Sequence, residues 1–154
     1  MESLLNLGID LSLNGFNLQG LLLFINRLVV GLFFAISGYH KLFLKQRHEQ
    51  LVSTLEEDKI PMVPFFQWFV PFVEFAGGIA IVLGVFAPLA ALAIMILLTV
   101  AILTDGIKRI PGFQPVDKAD ALDDFLYLPE ATYWFMALFV VLGGPGWFSL
   151  HELV

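Results

Sequence analysis

One hydrophobic stretch, residues 27–43, carries charged side chains near both ends of a segment that is otherwise apolar enough for a lipid bilayer. It reads RLVVGLFFAISGYHKLF. On a helix, with about 100° of rotation per residue, two cations and three small residues fall on one stripe. That stripe consists of Arg27, Gly31, Ala35, Gly38 and Lys41. Small residues allow a second backbone to approach closely, and cations in lipid need partners, so we expect this face to meet acidic residues elsewhere in the chain.

The composition favours a membrane protein. Apolar residues make up 58% of the 154 residues and charged residues 14%, against about 25% charged residues in a typical soluble domain. The net charge of −6 comes from acids clustered in two loops, and no basic patch indicates nucleic acid. The chain contains no cysteine, which excludes disulfides, dithiol redox pairs and thiolate metal sites within it.

Hydrophobic segments predict an all-α fold, an integral membrane four-helix bundle. Each of four segments approaches the roughly 20 residues that a membrane span needs. The predicted spans are about 21–44, 64–85, 88–104 and 129–147, within a membrane domain of residues 21–150, preceded by an interfacial lead-in at 1–20 and followed by a tail at 151–154. The polar segment between the first two spans is either a short amphipathic surface helix or a solvated loop.

The basic residues predict an orientation. Seven Lys and Arg residues lie at or in the two loops that follow the first and third spans: Lys41, Lys45, Arg47, Lys59, Lys108, Arg109 and Lys118. The positive-inside rule then places both loops in the cytoplasm and both termini outside it.

Ionisable residues inside the spans are the candidates for function, because a charge at a helix centre costs roughly 2.5–3.5 kcal/mol. Glu74 lies near the middle of the second span, on one face with Gln67. Arg27 and Glu74 are expected to pair, with Gln67 completing an intramembrane polar site. Two interpretations stay open for this site: a pair that fixes helix register, or a site for a ligand or proton.

A second polar cluster is expected at the cytoplasmic end. Lys41, Asp105 and Glu130 come from the ends of three different spans, and Tyr39 and His40 are close to Lys41 in sequence. These groups either extend to water or form a site, with Asp105 or Glu130 as the partner of Lys41. The histidines lack the spacing of a metal site, so no metal is predicted.

Four glycines are candidates for close helix packing. Gly31 and Gly38 lie on the stripe of the first span, and Gly77 and Gly78 lie on or beside the Glu74 face of the second. Glycines at helical spacing are typical of membrane helix interfaces.

Several short motifs, in this order and spacing, resemble the DoxX family of small four-span membrane proteins. They are RLVVGLFFAISGYHKLF at residues 27–43, VEFAGGIAIVLG at 73–84, the helix start at Pro88, and GPGWFSL at 144–150. In the family an Asp commonly follows the last motif, and here His151 stands in its place. The resemblance covers about residues 21–150. It implies a four-helix bundle in a bacterial or archaeal inner membrane and an association with thiosulfate:quinone oxidoreductase.

Three functions remain open from the sequence. The first is a redox-associated accessory subunit, with quinone as the candidate ligand and catalysis dependent on another subunit. The second is a non-catalytic scaffold or assembly subunit of a larger membrane complex. The third is a pathway for a small solute or protons. The lipid bilayer, and either another membrane subunit or further copies of the chain, are the expected partners.

Overall fold

The computed structural model describes residues 12–13, 16–110 and 119–144. Most of the predicted lead-in, nearly all of the GPGWFSL motif, part of the third loop and the predicted tail lie outside these residues. Within them the chain is helical, apart from one pair of two-residue antiparallel strands, Ser12–Leu13 and Phe16–Asn17, just before the first helix.

Six α-helices follow in chain order. They are α1 (Leu18–Phe43), α2 (Lys45–Glu57), α3 (Val63–Leu83), α4 (Ala87–Ala101), α5 (Ala119–Tyr127) and α6 (Pro129–Gly143). After α4 the helix continues as a π-helical turn, Ile102–Gly106, and a 3-10 turn, Ile107–Arg109.

Three helical segments are long and apolar enough to cross a membrane: Gly20–Phe43, Val63–Leu83 and Ala87–Arg109. The helical membrane bundle predicted from the sequence is therefore confirmed. The apolar helix α6 has 15 residues, fewer than the roughly 20 that span a bilayer. The predicted fourth span reached residue 147, beyond the last described residue.

The four apolar helices form a ring in which α1 packs against α3, α3 against α4, α4 against α6, and α6 against α1. Side chains from all four helices fill the centre. The buried core includes Val30, Phe34, Ile81, Ile94, Leu98, Ala137 and Val140. The interior is apolar over most of its length, so the polar groups lie at particular places between neighbouring helices.

A tight turn makes α3 and α4 antiparallel neighbours. Gly84 ends α3 with a φ of 74°, a left-handed conformation that costs glycine little. The N–H groups of Gly84 and Val85 donate to the carbonyls of Ile81 and Ala80 at 3.1 and 3.0 Å, which is a helix-ending Schellman motif. The chain then enters α4 within three residues.

The segment after α1 is a helix rather than a loop. α2 follows α1 directly and packs against both α1 and α3. His48 in α2 lies 3.0 Å from the backbone carbonyl of Lys41 through Nδ1, and its ring lies 4.5 Å from the ring of Trp68 in α3. Of the two interpretations left open by the sequence, the structure supports the surface helix.

Candidate functional site

The backbones of α1 and α3 approach each other so closely that there is no room for even a methyl group at several positions. A Cβ atom built on Gly31 would lie 2.8 Å from the carbonyl oxygen of Gly78. On Gly38 it would collide with the backbones of Pro71 and Phe75. Glycine at these positions sets both the separation and the axial alignment of the two helices.

This interface holds a buried ion pair between Lys41 of α1 and Glu74 of α3. Lys41 Nζ donates to both carboxylate oxygens of Glu74, each at 2.7 Å. Ser37, one turn earlier in α1, donates through its hydroxyl to Glu74 Oε2 at 3.2 Å. The exposed fractions of the two charged side chains are 28% for Lys41 and 10% for Glu74. Three hydrogen bonds therefore satisfy the carboxylate from one neighbouring helix.

The expectation that Arg27 pairs with Glu74 was wrong. Arg27 is buried, with 1% exposure, and its guanidinium carbon lies 5.3 Å from the ring centroid of Phe24 on the same helix. Because Gly31 faces Gly78 in antiparallel helices, Arg27 is level with the last turn of α3. Glu74 is then about two helical turns, roughly 11 Å, away along the axis.

Other predicted members of these sites lie apart from the Lys41–Glu74 pair. Gln67 donates through its side-chain amide to the carbonyl of Pro64 in its own helix at 3.2 Å. Tyr39 is 47% exposed, and its ring contacts those of His40, Phe43 and Phe75. The structure thus groups Glu74 with Lys41 and with Ser37, a residue that the sequence analysis did not single out.

The opposite side of the bundle has its own ion-pair cluster, where the chain leaves α4 and where α6 begins. Arg109 Nη2 donates to Glu130 Oε1 at 2.6 Å, and Arg109 Nε lies 3.0 Å from Asp105 Oδ2. The Arg109 side chain is 42% exposed and that of Glu130 is 23% exposed. We call these three residues the Arg109 cluster. It joins the π-helical and 3-10 turns to the first turn of α6.

The partner expected for Asp105 and Glu130 was therefore wrong as well. Arg109 holds both acids, whereas Lys41 holds Glu74. The sequence analysis placed Arg109 in a loop and counted it only toward orientation. Its spacing of four residues from Asp105 was the available signal, because residues four apart on a helix are neighbours. Nearby, Lys108 Nζ lies 2.6 Å from Asp58 Oδ1, a contact that ties the end of α2 to the 3-10 turn.

An apolar groove of about 320 Å³ lies between the α4 side and the α6 side, adjoining this cluster. Its lining is almost entirely apolar and aromatic: Thr99, Ile102, Leu103, Ile107, Phe125, Ala131, Trp134 and Phe135. Across it, the indole N–H of Trp134 donates to Thr99 Oγ1 at 3.1 Å. We call this space the α4–α6 groove. Its α6 wall begins at Ala131, directly after Glu130, so the Arg109 cluster lies at its end.

The described part of the chain contains no group of three His, Asp or Glu side chains arranged to hold a metal ion. The polar groups found there are ion pairs and single hydrogen bonds between helices. Chemically, they can hold helices in register and can accept or donate hydrogen bonds to a bound molecule.

Comparison with known proteins agrees with the helical architecture and with the motifs on α1 and α3. No curated protein and no solved structure matches the sequence. A family model for DoxX matches residues 22–105, which contain α1 to α4 and the Lys41–Glu74 pair. This match extends over more than half of the chain, and the protein is accordingly a multi-pass membrane protein that belongs to the DoxX family.

Proposed function

We propose that this protein is a quinone-binding accessory subunit of a membrane redox system, and that the α4–α6 groove is its quinone site. The single observation that carries the proposal is the groove itself, an apolar space of about 320 Å³ with aromatic walls that ends at a charged cluster. Small-molecule sites are typically clefts of roughly 300–1,000 Å³, mostly apolar and with a few polar groups. A quinone has the same division, with an apolar tail and a polar ring.

The groove supplies both kinds of contact. Phe125, Trp134 and Phe135 offer aromatic surfaces against which a flat ring can stack. The aliphatic side chains of the π-helical and 3-10 turns line the space toward lipid, where an isoprenoid tail would lie. The Arg109 cluster gives the ring's oxygens polar neighbours at the end of the groove.

The Lys41–Glu74 pair is a poorer candidate for the ligand. Lys41 and Ser37 already satisfy the Glu74 carboxylate, and the adjacent backbones leave no room for added atoms. We therefore assign this pair to the structure of the bundle, where it fixes the register of α1 against α3.

The accessory role follows from chemistry that this chain lacks. With no cysteine in the sequence, it has no thiolate to take sulfur or electrons from a reduced sulfur compound. A partner subunit would supply that step, as expected from the family's association with thiosulfate:quinone oxidoreductase. The basic residues of the loops favour an inner membrane in which α2 and the Arg109 cluster face the cytoplasm.

The test is a binding titration of decylubiquinone into the purified protein in lipid nanodiscs, followed by tryptophan fluorescence. Trp134 lines the groove, whereas Trp68 lies on α3 beside His48. We expect saturable quenching that is greatly reduced in Trp134→Phe and retained in Trp68→Phe. Quenching that rises linearly in all three proteins would indicate partitioning into lipid and would contradict the proposal.

A blocking variant separates binding in the groove from binding elsewhere. Leu103 lines the groove and is 63% exposed, so Leu103→Trp adds bulk there without displacing the core. Leu92, also exposed on α4 at 45% but outside the groove, gives the matched control Leu92→Trp. The increase in melting temperature on adding decylubiquinone should disappear in the first variant and remain in the second. Reduction of decylubiquinone by thiosulfate with the purified chain alone would contradict the accessory role.

A further inference from the structure

One oxygen of the Arg109 cluster is unlike the others. Glu130 Oε1 accepts from Arg109 at 2.6 Å, whereas Glu130 Oε2 is buried and has no hydrogen-bond partner among the residues that the structure describes. Buried polar atoms are nearly always hydrogen-bonded, so an exception asks what binds it. An ionised carboxylate oxygen can only accept, so the missing group is a donor.

The position of this oxygen links it to the α4–α6 groove. Glu130 lies in the first turn of α6, and the next residue, Ala131, begins the α6 wall of the groove. The donor nearest to the other end of that wall, the indole N–H of Trp134, is already bound to Thr99. A molecule in the groove would therefore meet an acceptor at the end that adjoins the cluster.

We infer that Glu130 makes the groove selective for the reduced form of its quinone. This inference rests on the proposed function. A hydroquinone carries phenolic O–H groups, one of which can donate to Glu130 Oε2. The oxidised quinone carries only carbonyl oxygens, so its lone pairs would face those of the carboxylate without a proton between them. Glu130 acts here in binding specificity, and no electron transfer by this chain is implied.

The magnitude follows from the kind of hydrogen bond involved. A hydrogen bond to a charged group commonly changes an equilibrium by about tenfold or more. We therefore expect the hydroquinone to bind at least about tenfold more tightly than the quinone to the wild-type protein near neutral pH.

The experiment measures equilibrium binding of decylubiquinone and decylubiquinol, separately and without oxygen, to nanodiscs that contain the full chain. Bound ligand is extracted and quantified by chromatography after the nanodiscs are captured. Empty nanodiscs give the partitioning background. The wild-type ratio of the two dissociation constants is itself the first test, and it does not depend on any variant folding correctly.

Two variants then locate the source of selectivity. Glu130→Gln replaces one carboxylate oxygen with an amide N–H₂ donor, so the preference for the hydroquinone should be lost or reversed. Asp105→Asn also removes a negative charge from Arg109, but not the unpartnered oxygen, so both dissociation constants should change by the same factor. A ratio that changes equally in the two variants would mean that the cluster's charge, and not Glu130 Oε2, sets the preference, and would overturn the inference.

The failure of this inference is distinguishable from the failure of the proposed function. Saturable binding of both forms with equal dissociation constants would overturn the selectivity and leave the quinone site in place. Binding of neither form above the empty-nanodisc background would overturn both.

Discussion

The α1–α3 interface and the α4–α6 interface are both joined by ion pairs, yet they use space in opposite ways. Between α1 and α3, glycines bring the backbones together, and the carboxylate of Glu74 is fully satisfied by its neighbours. Between α4 and α6, aromatic and aliphatic side chains leave a groove of about 320 Å³, and an oxygen of Glu130 lacks a described partner.

This difference shows which part of the bundle can serve a ligand. In lipid, helices associate through close packing and hydrogen bonds rather than through burial of apolar surface from water. The α1–α3 interface has both in full, and it can hold the fold together. The α4–α6 interface has less of each, so it can accommodate a further molecule without losing contacts that the fold depends on.

The largest expected effect is at the closest approach of α1 and α3. In Gly78→Ala the added methyl group would lie 2.6 Å from the carbonyl oxygen of Gly31 and would collide with the backbone nitrogen of Ala35. Backbone atoms cannot yield without separating the helices, so we expect the free energy of unfolding to fall by about 3 kcal/mol or more. Unfolding in mixed micelles with increasing dodecyl sulfate, followed by circular dichroism, measures it.

The neighbouring glycine gives the matched control. In Gly77→Ala the methyl group would meet Ile94 Cδ1 at 3.3 Å, the end of a flexible side chain on α4. That side chain can move slightly, so we expect a loss below about 1 kcal/mol. Similar losses for the two variants would contradict the view that the α1–α3 contact is the tighter one.

The next effect is on the buried ion pair. Lys41→Met removes the cation and leaves the carboxylate of Glu74 buried without it, a change that commonly costs about 3–5 kcal/mol when both groups are fully buried. Because the Lys41 side chain is 28% exposed, we expect a smaller loss of about 2 kcal/mol. The same unfolding titration applies.

Two comparisons test this explanation. The double variant Lys41→Met with Glu74→Met should recover most of the loss, because no uncompensated charge remains. Lys45→Met removes a lysine whose pair with Glu49 lies at the surface, 3.7 Å apart, and should not change stability measurably. A double variant as unstable as Lys41→Met alone would show that packing, not charge, is what Lys41 contributes.

The sequence was sufficient to predict the helices and the kind of contact that Lys41 makes, but not which acid it meets. Hydrophobicity identified the apolar segments, and the stripe of small residues identified the face of α1 that packs closely. The partner depends on the axial alignment of two helices, and a shift of two turns exchanges Arg27 for Lys41 beside Glu74. Depths counted from helix ends could not detect this, because Lys41 is two residues from the end of α1 whereas Glu74 is eleven residues inside α3.

The Arg109 cluster was missed in part for a different reason. Asp105 and Glu130 were correctly placed as candidate polar residues near helix ends, but the segment after Asp105 was expected to be a loop. The structure continues it as a π-helical and then a 3-10 turn, which brings Arg109 beside both acids. A groove depends on side chains from three separate elements, α4 with its extension, α5 and α6, and no local pattern encodes that arrangement.

The smallest expected effect concerns the α4–α6 interface, where Trp134 donates to Thr99 Oγ1 at 3.1 Å. Hydrogen bonds between membrane helices contribute about 0.6 kcal/mol on average, so Thr99→Val should lower the free energy of unfolding by about that amount. Loss of the acceptor should also free the indole, and quenching of Trp134 by acrylamide should increase. Thr104→Val is the control, since the Thr104 hydroxyl donates within its own helix to the carbonyl of Val100 at 2.9 Å. If Thr99→Val were as destabilising as Lys41→Met, the α4–α6 interface would be as essential to the fold as the α1–α3 interface. The groove would then be a packing feature rather than a site free to bind a ligand.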